Sequence, residues 1–162
     1  MTSTKIDNKN IGEKISKCEN LTVLIRRTVK APAAKAFRAW TEVEQMKKWF
    51  GCNEISSIEV TQDFVVGGQY SITAASCTGS GTNTVHGTFK EIIQDKKVVY
   101  TWNNESPNAP AQDTVVSVEF IDHGDHTEIV LEHTKFAVDK SAEGHSFGWN
   151  QSLDKLEALL AS

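Results

Sequence analysis

The sequence predicts an α+β domain in which a bent antiparallel sheet grips one long C-terminal helix, in the order β-α-α-β(about six)-α. Three observations predict it. His145, Trp149, Leu153, Leu156 and Leu160 fall at steps of four, four, three and four, with Asn150, Gln151, Asp154, Lys155 and Glu157 off that line. Such spacing draws one apolar stripe along a helix from about Ser141 to Leu160. Nearly everything between Leu21 and Phe136, two short helices near its start apart, reads as strand. Strict alternation implies one covered face and one wet face, and only the last helix is long enough to cover the apolar one.

A chain of 162 residues fits one domain with a core that needs no staples. Residues 1–18 read as a loose polar tail with a short helix near Ile11 to Lys17, and residues 19–162 as the domain. With 39% hydrophobic and 23% charged residues the composition is ordinary for a globular protein. The net charge of −4 and the lack of a basic run argue against nucleic acid and anionic membrane surfaces as partners. No apolar run approaches the roughly 18 residues of a spanning helix. Met1 to Asn10 lacks the apolar centre of a signal peptide, so the cytoplasm is expected. Cys18, Cys52 and Cys77 are scattered, which fits reduced thiols better than a disulfide or metal framework.

Taken in order, Leu21 to Val29 is the first strand, dense in β-branched residues. Ala31-Pro32 stops it and opens a helix with Pro32 at its first position, where a missing N–H costs nothing. Ala33, Ala36, Phe37 and Trp40 form that helix's inner face. Thr41 to Glu44 reads as a capping box for a second short helix with Val43, Met46 and Phe50 on one side, ended by Gly51. A meander follows. Its strands run Ile55 to Gln62, Gln69 to Ala75, Thr84 to Ile93, Val98 to Trp102, Thr114 to Ile121 and Thr127 to His133. The connections are Gly67-Gly68, Thr78 to Gly81, Gln94 to Lys97, a proline-bearing loop from Asn103 to Asp113, and His123 to Asp125. The strand at Leu21 to Val29, or one beside Gly67-Gly68, would form an edge able to pair two copies, leaving monomer and homodimer both open.

This order resembles the helix-grip fold of the START and birch-pollen-allergen superfamily. Ala31-Pro32 with Phe37-Arg38-Ala39-Trp40-Thr41, then Trp49-Phe50-Gly51, resembles the opening of the family named after the activator of the heat-shock-protein-90 ATPase, in its bacterial branch. Later pieces agree in order: Gly67-Gly68, Gly87-Thr88-Phe89, Val98 to Trp102, Val118-Glu119-Phe120, Thr127 through His133, and Gly148-Trp149 with Leu153 and Leu156. The match spans about Leu21 to Leu160. The chain departs from it in the N-terminal tail, at Phe64-Val65-Val66, where relatives often carry charge, and in the loop from Asn103 to Asp113. The resemblance implies a cavity between helix and sheet that holds an apolar or amphipathic small molecule. Members include ligand carriers, polyketide cyclases and aromatases, and chaperone partners, with stress response among the implied settings.

The inward aromatics Trp40, Trp49, Phe50, Tyr70, Trp102, Phe120, Phe136, Phe147 and Trp149 either fill the core or line a pocket. Trp40, Trp49, Tyr70, Trp102, Phe120, Phe136 and Trp149, with Leu153 on the stripe, are the candidate ligand wall. Gly87 and Ala74 are small inward residues that would leave room. His133 ends a strand whose other inward residues are Thr127, Ile129 and Leu131, so it should point beneath the helix, as a ligand partner, an acid or base near neutral pH, or a satisfied core histidine. His145 could meet it there or sit exposed in the helix's first turn. His123 and His126 flank a hairpin turn and should be solvated. No HExxH, CxxC or carboxylate–histidine triad is present, and no cofactor or catalytic group is expected. The favoured reading is non-catalytic binding of a small hydrophobic or amphipathic molecule. The alternatives are a cyclase- or hydratase-like enzyme using the same cavity, and a module acting on a chaperone.

Overall fold

In the computed structural model the described residues are 14–51, 58–75, 81–107 and 109–162. Eight strands form one antiparallel sheet in the order β1-β2-β8-β7-β6-β5-β4-β3. They are β1 (Ile15–Glu19), β2 (Thr22–Val29), β3 (Ile58–Gln62), β4 (Gln69–Ala75), β5 (Thr82–Ile93), β6 (Lys97–Asn104), β7 (Ala111–Asp122) and β8 (Thr127–Thr134). Helices α1 (Ala33–Thr41) and α2 (Val43–Met46) follow β2, and α3 (Asp139–Ala161) closes the chain. The sheet is bent over the helices, as the alternation and the C-terminal stripe predict.

Several boundaries differ from the sequence reading, each for a local reason. Ile15 to Glu19, read as the end of a loose tail and in part as helix, is a strand paired with β2 from Ile15↔Arg26 to Glu19↔Thr22. The two-residue turn between them, Asn20-Leu21, has φ values of 55° and 58°. That is the left-handed pair of a type I′ hairpin, whose usual glycine is absent, so the turn signal is hidden. Leu21 therefore belongs to the turn, and β2 lies inside the sheet, with β1 and β3 as its edges. Thr41 does not cap α2: it ends α1, and its hydroxyl donates to the Phe37 carbonyl at 2.8 Å. Pro32 occupies the N-cap of α1. The loop expected from Asn103 to Asp113 is shorter, because β6 runs to Asn104 and β7 begins at Ala111. The start of the expected strand from Ile55 to Gln62, the Thr78–Ser80 turn, Cys52 and Cys77 lie outside the described residues.

The helix stripe is buried as predicted: His145, Trp149, Leu153, Leu156 and Leu160 all face the sheet. Phe147, read as inward, is instead on α3's solvent side and 58% exposed, because it falls between the stripe positions. Arg27 lies on the same strand face as Val23 and Ile25, is 1% exposed and reaches across to α3. Its guanidinium donates to Asp154 at 2.7 Å, Glu157 at 3.2 Å and both the carbonyl and side chain of Asn150. The Ser152 hydroxyl ties the same helix to Gly51, accepting from its N–H and donating to its carbonyl, both at 2.9 Å. On the outer face the wet reading fails at one place. Arg26 and Glu128 are both buried there and pair with each other, and the outer oxygen of Glu128 meets the His123 ring at 2.8 Å. Two opposite charges in contact offset much of each other's desolvation.

Candidate functional site

The covered side of the sheet has two unlike halves. Beneath α3, the inward phase of β6, β7 and β8 brings Trp102, Thr114 and His133 together, and the helix stripe adds His145 and Trp149. Trp149 Nε1–H donates to His133 Nδ1 at 3.0 Å. His133 must then carry its proton on Nε2, which lies 2.8 Å from the Thr114 hydroxyl; that hydroxyl donates onward to the Trp102 carbonyl at 2.6 Å. Trp102 Nε1–H in turn donates to His145 Nε2 at 3.0 Å, where the Asn104 amide also approaches at 3.1 Å. The remaining His145 nitrogen, Nδ1–H, donates to the Ser141 carbonyl at 2.8 Å. Both histidines are thus neutral, each takes an indole N–H, and all four ring nitrogens are engaged. Burial holds His133 well below the ordinary histidine range, and the neighbouring His145, 5.2 Å away between ring centroids, pushes the same way. Burial also lowers His145, against the opposing pull of the Ser141 carbonyl. Phe136 packs on His133 at 4.3 Å, Trp102 on Trp149 at 5.1 Å, and Leu153 is 1% exposed. Among the described residues this half is closely packed.

The other half lies between the α1–α2 corner and strands β3 to β6. It contains a gap of about 20 Å³ lined by Trp40, Thr41, Met46, Trp49, Phe50, Gln62, Phe64, Tyr70, Ile72, Phe89, Val98 and Tyr100. That is room for about one water. Phe50, Gln62 and Phe64 are only half-buried and mark its solvent side. The cover is thin: a four-residue α2, the turn to Gly51, and the β3–β4 hairpin tip, where Val65 and Val66 are exposed. Gln62 Nε2 donates to the Thr41 carbonyl at 2.6 Å, joining edge strand β3 to the end of α1. Phe64 meets Phe89 at 5.0 Å and Phe37 at 6.2 Å, both edge to face.

The polar atoms on this wall are few. Trp49 Nε1–H donates to the Ala39 carbonyl at 2.8 Å, and the Tyr70 hydroxyl donates to the Thr101 carbonyl at 2.5 Å. Trp40 Nε1–H donates to the Tyr100 hydroxyl oxygen at 3.1 Å. Burial pushes both phenols above the ordinary tyrosine range; Tyr100 adds to the effect on Tyr70, while the Trp40 hydrogen bond works against it on Tyr100.

Of the residues proposed from sequence, Trp40, Trp49 and Tyr70 line this gap. Trp102, His133, Phe136, Trp149 and Leu153 belong to the closely packed half, and Phe120 sits between, edge-on to Phe37 at 5.5 Å and Trp40 at 6.1 Å. Gly87 leaves no space. β6 comes so close that a Cβ there would lie 1.9 Å from the Thr101 carbonyl oxygen, the acceptor used by Tyr70. Gly87 also borders a broad polar depression of about 460 Å³ that has His86, Lys90, Asn103 and Asp113 at its walls. Sequence reasoning missed Arg27 and Thr114, and it left Tyr100 out of the candidate wall although it shares a strand face with Val98 and Trp102. Each shares the strand parity of residues recognised as inward, Val23, Val116 and Trp102 respectively, and that parity was the available signal. Among the described residues no three His, Cys, Asp or Glu side chains come together as a metal site, and no helix is long and apolar enough to cross a membrane.

Solved structures share the fold. A protein from Chromobacterium violaceum is 20% identical with a TM-score of 0.77, over 88% of this chain and 98% of that one. A Mesorhizobium loti protein is 25% identical with a TM-score of 0.67, over 86% and 96%. The AHSA1 protein of Silicibacter pomeroyi is 18% identical with a TM-score of 0.70, over 86% and 97%. No curated protein matches the chain. Residues 30–161 match the family described as Activator of Hsp90 ATPase homolog 1-like protein. The bent eight-stranded sheet, the C-terminal helix laid across it and this match over most of the sequence together place the chain in the Activator of Hsp90 ATPase homolog 1-like family.

Proposed function

We propose that the protein binds a small hydrophobic or amphipathic molecule, without catalysis, between the α1–α2 corner and strands β3 to β6. The observation that carries this reading is the aromatic gap in whose lining Phe50, Gln62 and Phe64 are only half-buried. A ligand enters by displacing those side chains, because the gap itself has room for about one water and ligand pockets are typically a few hundred Å³. The interface beneath α3 is the less suitable place, since every ring nitrogen of its two histidines is already paired and its rings interlock. The wall also speaks against acid–base chemistry. Among the described residues it holds no histidine, carboxylate or lysine, and burial pushes its two phenols above the ordinary tyrosine range.

Native mass spectrometry of freshly purified protein, beside the same sample denatured, tests the reading. A reproducible small-molecule mass that is lost on denaturation is the expected result. A bare polypeptide mass, together with no thermal shift from any neutral aromatic compound in a screen, would contradict it. Chemical change of the bound species on standing would instead favour the enzymatic alternative.

A further inference from the structure

The Tyr100 hydroxyl accepts a hydrogen bond from Trp40 Nε1–H, and its own O–H has no acceptor among the described residues. The side chain is 7% exposed and forms part of the gap's wall. Its proton is therefore available to an acceptor in the gap, where there is room for about one water that a ligand oxygen would replace. The neighbouring polar groups differ: Tyr70, Trp49 and Thr41 each donate to a backbone carbonyl. Among the described residues the lining carries no cation to hold an anion and no carboxylate to hold an amine.

We infer that Tyr100 is the polar anchor of the site, and that the molecule it takes is a neutral aromatic compound bearing a carbonyl-type oxygen that accepts the Tyr100 O–H. This inference deepens the ligand-binding reading and rests on it. The flat walls of Trp40, Trp49 and Phe89 select the aromatic body. The fixed indole donor behind Tyr100 Oη leaves that hydroxyl's proton to the ligand. A charged head group would enter with no counterion and a large desolvation penalty.

The test uses two compounds of nearly equal shape, acetophenone and ethylbenzene, titrated into the full chain and into Tyr100→Phe. The readout is the change in the ratio of their two dissociation constants between the two proteins, in which their different hydration cancels. The expected result is a shift of about five- to tenfold in that ratio against acetophenone on substitution, the size of one neutral hydrogen bond. Binding of both compounds with an unchanged ratio would overturn the anchor and leave the ligand-binding reading standing. Failure of both to bind the unmodified protein would overturn that reading, and the anchor with it. Tyr100→Phe leaves Trp40 Nε1–H unpaired and can fail to fold. The carbonyl stretch of acetophenone bound to the unmodified protein is therefore a second readout. A lowered, hydrogen-bonded frequency is expected, and the frequency of the ketone in a hydrocarbon would overturn the assignment.

Discussion

The two halves of the covered face are built from the same residue types to opposite ends. Under α3, two tryptophans meet two histidines and every ring nitrogen of those histidines finds a partner. Under the α1–α2 corner, two tryptophans meet two tyrosines, and one phenol O–H is left over beside a one-water gap. Cover explains much of the difference. A 23-residue helix clamped by Arg27 and Ser152 can hold a jigsaw interface, whereas a four-residue helix and a hairpin tip cannot. On the proposed reading the first half supplies stability and the second opens to a ligand, a division between a rigid scaffold and a less stable binding edge.

Substitutions should expose that division. The largest effect is expected from Trp149→Ala. It removes a buried indole that packs on Trp40 at 5.9 Å and Trp102 at 5.1 Å, and it strips His133 Nδ1 of its donor. A loss of about 3–5 kcal/mol is expected in a urea titration. A loss below about 1 kcal/mol would mean that the interface is not the stabilising half.

Acid is the next probe. Both histidines are neutral in the fold with values below the ordinary 6.5, so the unfolded chain binds protons that the folded chain refuses. Their contribution is complete above about pH 6.5 and is lost as the pH falls below it toward the folded values, by up to about 1.4 kcal/mol per pH unit for each histidine. Thermal melts between pH 7 and 5.5 should show this decline, and His133→Gln should flatten it. An acid slope untouched by that substitution would place the sensitivity elsewhere. The smallest effect belongs to the other half. Phe64→Ala at the hairpin should cost about 1–2 kcal/mol by chemical denaturation, because Phe64 is already half-exposed. A cost equal to that of Trp149→Ala would erase the contrast between the halves.

Much of this architecture is legible in the sequence. The stripe from His145 to Leu160, the paired glycines and the strand alternation are periodic signals, and periodicity survives without coordinates. What was hidden has particular causes. The β1–β2 hairpin turns on Asn20-Leu21, where a leucine sits at φ 58° in a place that glycine would have announced. Arg27 stands in the inward phase of β2, yet its partners Asp154 and Glu157 are more than a hundred residues away, and no local rule links them. His133 was visible as inward, but only the fold shows that Trp149 and Thr114 engage both its nitrogens. Gly87 looked like room, and the close approach of Thr101 shows that it is contact. The candidate site was half legible for the same reason: Trp40, Trp49 and Tyr70 could be chosen by parity, whereas the division into a closely packed and a loosely covered half depends on which helix covers which strands.

The chain's four tryptophans report the two halves separately, because each indole N–H has its own partner: Tyr100 for Trp40, Ala39 for Trp49, His145 for Trp102 and His133 for Trp149. The most direct measurement is the nitrogen–proton correlation spectrum of these indoles during titration with acetophenone. Binding at the α1–α2 corner predicts that the Trp40 and Trp49 signals move most while those of Trp102 and Trp149 stay close to their starting positions. Larger movement of the Trp102 and Trp149 signals would place the ligand beneath α3 and contradict the account.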